Sequence, residues 1–251
     1  IDKRVKEDYL RILRYIRFFL NYSKRPHNQD VIRLLKMNLN GVLKLSKDRL
    51  LDELKKIIKI NTLEKLIKDK ISLDLILMIF PELKNIKVFS KLSDSNKDIL
   101  KRKDFIFLLS LLIVNDTDNV DYFLYKFNIS KKDQKRLKNI NNFYKEKINS
   151  KTFTKNNINK IFYYHGREAA LDILDYRMIK LKKVDNSIKE LIDHYINSEL
   201  PKMPVSADLL MKKYEISEGR QLGEKLKMIE EEWVKNDFEI SDQQVDNLVN
   251  S

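Results

Sequence analysis

Along the first twenty positions, apolar residues recur at the three- and four-residue steps of a helix: Val5, Tyr9, Ile12, Leu13, Ile16 and Leu20 form one stripe. The opposite face carries Arg4, Glu7, Asp8, Arg11 and Arg14. A carboxylate and a guanidinium three positions apart are helix neighbours, so Asp8 and Arg11 project together. The pair offers an acceptor beside a rigid forked donor, which matches the edge of a nucleobase. The same spacing also describes an ordinary solvated ion-pair face, worth only about 0.2–0.5 kcal/mol per pair.

Similar patterning continues down the chain. Asp30 is placed to cap a helix running to Met37 and ending near Asn40-Gly41. Ser46 caps the next, whose inner face holds Leu50, Leu54, Ile57 and Ile58. Pro81 ends an apolar helix over 73–80. Ser130 and Asp133 resemble a capping box. A helix is expected from Asn156 through Tyr163 and Ala170 toward Met178, with Gly166 inside it as a point of close approach. Ser187 opens another helix, closed by the stretch Pro201 to Pro204, and 218–234 is a long amphipathic one. Only four Gly and four Pro in 251 residues leave little punctuation for hairpins. The expected fold class is all-α, a multi-helix array.

Charge sharpens this picture. Residues 161–251 hold 13 basic and 18 acidic residues, a net of −5, whereas the first 160 hold 37 and 19, a net of +18. The densest basic segment contains Lys131, Lys132, Lys135, Arg136, Lys138, Lys145 and Lys147, with Phe143, Tyr144 and Phe153 interleaved. Such asymmetry is the footprint of a polyanion-binding surface, RNA being the natural candidate. A lysine-rich solvated face has the same composition. The absence of cysteine excludes disulfides and thiolate zinc sites and fits a reducing cytoplasm. The most apolar run, 105–114, suits a buried helix and is too short for a membrane span.

Other chemistry finds little support. Asp116-Thr117-Asp118 is a literal DxD, but it lies in a polar stretch without the strand and glycine turn that would aim two carboxylates at metal, and reads as a cap or turn. His27, His165 and His194 form no metal-spaced pair. Gly219 and Gly223 make no dinucleotide loop and instead shape the start of the last long helix.

Glu7-Asp8-x-x-Arg11, continuing as Ile12-Leu13-Arg14-x-x-Arg17-Phe18, resembles the EDxxR motif of class II tRNA nucleotidyltransferases, the family of the CCA-adding enzymes and the related bacterial poly(A) polymerases. Further segments follow in the family's order. Leu45-Ser46-x-Asp48-Arg49-Leu50-x-x-Glu53-Leu54-x-Lys56 resembles the pattern LSxERIxxELxK, and Phe80-Pro81-Glu82-Leu83 an FPEL turn. Pro204 to Leu210, Glu218-Gly219-Arg220-Gln221-Leu222-Gly223 and Glu232-Trp233-x-x-Asn236-Asp237-Phe238 are similar to the family's tail. One departure is Ser206, two residues before Asp208, where the family commonly has glycine.

The resemblance implies a neck over 1–62, a basic helical body over 63–160 and a helical tail over 161–251. It implies that Asp8 and Arg11 template the base of an incoming CTP or ATP, with Glu7, Arg14 and Arg17 in support and Arg49 and Glu53 as neck scaffold. The basic residues from Lys131 to Lys147 would hold RNA. The family's catalytic head, with its Gly-Gly/Gly-Ser loop, DxD pair for Mg2+ and RRDF-like segment, precedes EDxxR, and none of it lies ahead of Glu7 here. The expectation is therefore a neck, body and tail whose head is removed or encoded separately, with no catalytic or metal-binding residue in this chain and no nucleotide addition by it alone. The partner implied is tRNA or another RNA 3′ end. The alternatives are the poly(A) polymerases of the same family and a non-catalytic helical RNA-binding module.

Overall fold

The computed structural model describes residues 2–146, 154–181 and 185–250, and these contain seventeen α-helices, one 3-10 turn and no strand. The chain divides into two compact units, Ile1–Glu146 and Lys147–Ser251.

The first unit opens with α1 (Asp2–Glu7) and α2 (Leu10–Tyr22), followed by α3 (Gln29–Met37), α4 (Leu39–Val42), α5 (Lys47–Ile57), α6 (Ile60–Lys68) and α7 (Lys70–Ile79). Past the 3-10 turn Ile86–Ser90 come α8 (Asp94–Lys101), α9 (Phe105–Ile113), α10 (Asn119–Lys126) and α11 (Lys131–Lys145). The apolar stripe of α2 is buried as its spacing predicts, with Ile12, Leu13 and Ile16 fully enclosed against α5 and α6. Helix α9 is buried all round from Ile106 to Ile113, which explains its unbroken apolarity. The 80–83 turn is pinned from three sides. Phe80 is buried near Phe127, Glu82 sinks its carboxylate against Lys126 Nζ at 2.8 Å, and Asn119 Nδ2 donates to the Glu82 carbonyl at 2.8 Å.

The second unit comprises α12 (Lys155–His165), α13 (Arg167–Lys180), α14 (Asn186–Asn197), α15 (Ala207–Tyr214), α16 (Arg220–Lys235) and α17 (Asp242–Asn250). The Trp233 to Phe238 motif is the end of α16. Asp237 and Phe238 adopt positive φ (57° and 66°), and the Phe238 amide returns to the Trp233 carbonyl at 2.9 Å, a bond that closes a helix C-terminus. Buried Trp233 then meets Tyr163 and Phe238 edge-on, while Asp237 accepts from Asn159 at 2.7 Å and from Lys155 at 3.0 Å. Glu230 accepts from the hydroxyls of Tyr163 and Tyr164, and burial together with that carboxylate pushes both phenols up to about 12. Ser206 caps α15 through the Leu209 amide at 3.2 Å, a use for serine at the position where the family pattern has glycine.

Three local expectations change. The first helix breaks at Asp8-Tyr9. Asn28, not Asp30, caps α3, because its side chain sits outside the helix and takes the amides of Asp30 and Val31. The expected helix from 156 to 178 is two helices, broken at Gly166, whose φ of 86° and ψ of 171° fall in a region open in practice only to glycine. No neighbour approaches where a Gly166 Cβ would stand, so glycine serves the turn and not a close contact. Gly166→Ala should therefore destabilise the chain by about 1–3 kcal/mol. Gly223→Ala, inside α16 with open space at its Cβ, should stabilise by about 0.5–1 kcal/mol. Urea titration followed by far-UV circular dichroism checks both signs.

Candidate nucleotide and RNA interface

Asp8 stands in the break between α1 and α2, where it is more than a surface charge. Its Oδ1 accepts from the Leu10 amide at 3.1 Å and from Arg49 Nη2 at 2.9 Å, and its Oδ2 lies 3.9 Å from Arg14 Nη1. Next to it the Tyr9 ring packs so closely over Gly41 that any Cβ there would collide with it. The break is thus held from α4 as well as from α5. Arg11 joins the same turn, donating its amide to the Asp8 carbonyl at 3.1 Å. Its side chain is exposed and forms no ion pair among the described residues, so the guanidinium keeps its donors.

Deeper in, Glu53 of α5 is buried with only 2% of its side chain exposed. It receives Arg17 Nε at 3.0 Å and Lys56 Nζ at 2.8 Å, with Arg14 Nε at 3.7 Å. Burial works against its charged form, but the hydrogen bonds and charges of Lys56 and Arg17 prevail and hold the carboxyl below the usual range. The outcome is a continuous row: Arg49, Asp8, Arg14, Glu53, then Arg17 and Lys56. Four cations face two carboxylates, and an excess of positive charge of this kind suits a phosphate-bearing ligand.

The structure therefore brings Asp8, Arg14, Arg17, Arg49 and Glu53 together, in a different pairing from the one their spacing suggests, while the Arg11 side chain stays outside the row. Arg49 and Glu53 are i,i+4 on α5, yet Arg49 reaches Asp8 and Glu53 takes cations from α2. It is Asp8, not Glu7, that faces Arg14, while Glu7 is exposed at the end of α1. Lys56 is a further member of the row. Its signal was present in the sequence, three residues beyond Glu53 on the same helix.

The basic segment forms α11, capped by Ser130 through the Asp133 amide at 3.2 Å. Lys131, Lys135 and Lys138 follow one another at helical steps on the exposed side, opposite buried Leu137, Ile140 and Asn141, with Lys132 exposed beside them. Arg136 is instead drawn to Asp104 at 2.6 Å, and Lys145 lies 3.5 Å from Asp118. Lys147 lies outside the described residues. Asp116 and Asp118 are exposed in the loop before α10, where Asn115 Oδ1 takes the Thr117 amide and hydroxyl, and no group of three metal-ligating side chains gathers among the described residues. Nor, among those residues, is any helix long and apolar enough to cross a membrane.

The first unit of this all-α chain thus presents an exposed guanidinium, Arg11, beside a row of ion pairs that carries more cations than carboxylates. No protein-family model matches the chain. Its sequence is similar to that of human "CCA tRNA nucleotidyltransferase 1, mitochondrial": it is 28% identical over 246 residues, covering 95% of this chain and 54% of that protein. The mouse protein of the same name is 28% identical over 243 residues, covering 94% and 54%. The chain thus spans about half the length of the curated relatives it matches. A Thermotoga maritima CCA-adding enzyme, solved in complex with tRNA, shares the fold at a TM-score of 0.57 and 16% identity, over 100% of this chain and 62% of that one.

The buried Glu53 pairing has a pH signature. A carboxyl held low in the folded chain favours folding above its unfolded value of about 4.3, and that contribution fades as pH falls through the lower folded value. Glu53→Gln should cost about 1–3 kcal/mol at pH 7 and flatten the loss of stability as pH falls below about 4.3. Urea midpoints across that range would show parallel profiles for the two proteins if the pairing contributed nothing.

Proposed function

We propose that this chain is the nucleotide-selecting and tRNA-holding portion of a template-independent RNA nucleotidyltransferase that adds CMP and AMP to complete CCA at tRNA 3′ ends. The observation that carries the reading is the Asp8–Arg11 turn: a carboxylate held in the break before α2, and an unpaired, exposed guanidinium in the first turn of α2. The Asp8 carboxylate accepts from the exocyclic amine of cytosine or adenine, while Arg11 donates to the adjacent ring acceptor. Uracil and guanine present a carbonyl oxygen to the carboxylate instead, and a mispaired polar group costs about 1–3 kcal/mol. Arg49 and the Leu10 amide fix the carboxylate in place, so selection is built into a rigid turn.

Residues 1–62 act as the neck, 63–160 as the body and 161–251 as the tail. Lys131, Lys135 and Lys138 meet the phosphates of the acceptor arm, and Lys132 and Lys145 flank them. The nucleotidyl transfer itself belongs to a catalytic head outside this chain, the portion to which the family resemblance assigns Mg2+. In this reading the chain's own part is binding and selection. Its lack of cysteine accords with a reducing compartment such as the cytoplasm. Both curated relatives carry the CCA-adding name, which favours that activity over poly(A) addition.

Three measurements test this. The chain should bind tRNA lacking CCA with strong salt dependence, and changing Lys131, Lys135 and Lys138 together to Gln should reduce the log–log salt slope by roughly 2–3. In an enzyme that joins this chain to a catalytic head, Asp8→Ala should lower the preference for CTP and ATP over UTP by about tenfold or more. Unchanged discrimination would overturn the templating role. Equal extension of generic RNA and of tRNA lacking CCA would assign the enzyme to poly(A) addition.

A further inference from the structure

Beyond the Asp8–Arg11 turn, the exposed face of α2 continues as Arg14, Phe18 and Tyr22, at helical steps of four residues. Phe18 and Tyr22 are 49% and 75% exposed on the polar side of an amphipathic helix, where no core requires them. Their rings lie 6.0 Å apart, and the Arg17 guanidinium sits 4.4 Å from the Phe18 centroid. The stripe leads into a cleft of about 660 Å3 at the end of α2, bounded by the end of α5, the start of α6 and residues of α8 and α9. Every charged side chain lining this cleft is a cation. Arg17 and Lys56 are committed to Glu53, but Lys59 makes no ion pair among the described residues. Lys55 and Lys101 hold only exposed carboxylates, Asp52 at 3.8 Å and Asp98 at 2.9 Å, pairs that water and salt readily loosen. Lys55 also lies 5.9 Å from the Phe105 ring on the wall.

We infer that this cleft and the Phe18–Tyr22 platform bind a short single-stranded RNA segment, with a base stacked on Tyr22 and its phosphates among Lys55, Lys59 and Lys101. The inference rests on the RNA-binding reading above and adds to it a strand site separate from α11. Interleaved cations and exposed aromatic rings are the combination that recognises single strands, because every base has a face to stack while the cations follow the backbone. A duplex cannot stack its paired bases on Tyr22, so the site discriminates by strandedness. The cleft volume is of the size that admits a nucleotide. From Arg11 to Tyr22 the helix advances about 16 Å, so a strand lying there would run from the base-selecting turn into the cleft.

The test is fluorescence anisotropy of the whole chain with a labelled hexaribonucleotide ending in CCA, and with an RNA duplex, between 50 and 200 mM salt. Tyr22→Ala should weaken hexanucleotide binding about tenfold without changing the salt slope, and Tyr22→Phe should restore it. Changing Lys55, Lys59 and Lys101 together to Gln should lower the single-strand slope by about 2. The Lys131/Lys135/Lys138 variant should lose duplex binding and keep the hexanucleotide. If the chain binds tRNA but the cleft variants hold the hexanucleotide within twofold of the parent, the strand site is overturned and the proposed function stands. Failure of the parent chain to bind any RNA overturns both. Full competition by free CTP at the hexanucleotide's own affinity would assign the cleft to a mononucleotide and overturn the strand assignment.

Discussion

A carboxylate buried between two helices organises the first unit. Glu53 loses nearly all contact with water when α5 packs on α2, and an unpaired buried charge would cost several kcal/mol. The packing is therefore possible only in a register that brings Arg17 and Lys56 to its oxygens and Arg14 within reach. Once that register is set, Arg49 on the same helix falls opposite Asp8 and holds its carboxylate. Two motifs far apart in the chain thus meet as complementary halves of one ion-pair row. The arginines in that row are not equivalent. Arg17 serves the buried carboxylate, Arg14 bridges both acids at longer range, and Arg11 is left to face outward.

Other motif residues serve the fold before any chemistry. Glu82 and Asn119 pin the turn after α7 to the ends of α9 and α10. Trp233, Asp237 and Phe238 close α16 and press it onto α12. His27 lies buried in a polar knot, with Tyr15 on one ring nitrogen, Asp69 and Ser72 on the other, and Phe19 stacked across its face. That knot ties α2 to the start of α7, and the bonds of Ser72 and His27 hold the Asp69 carboxyl low against the opposing effect of burial. The His27 knot follows a general rule: a polar group taken from water must find its partners inside.

The surplus positive charge of the first 160 residues divides into distinct uses. Part neutralises buried acids, as Arg17, Lys56 and Lys126 do. Part lies along the open side of α11 in a regular stripe, and part lines the cleft at the end of α2. Net charge predicts attraction to a polyanion, but only this partition says where the polyanion can be held.

The all-α class, the burial of the α2 stripe and the capping of α5 and α11 were legible in the sequence, because helix periodicity and caps are local properties. The breaks at Asp8-Tyr9 and Gly166 were not, since apolar spacing runs through both and only the packing of Tyr9 on Gly41 and the backbone angles at Gly166 distinguish them. Partner choice among the charges was equally out of reach. Spacing alone joins Arg49 to Glu53 four residues away, whereas folding joins Arg49 to Asp8 across 41 positions and gives Glu53 to Arg17 across 36. The reason is burial: water makes all such local pairs nearly equal, and only removal from water, which tertiary packing imposes, selects among them.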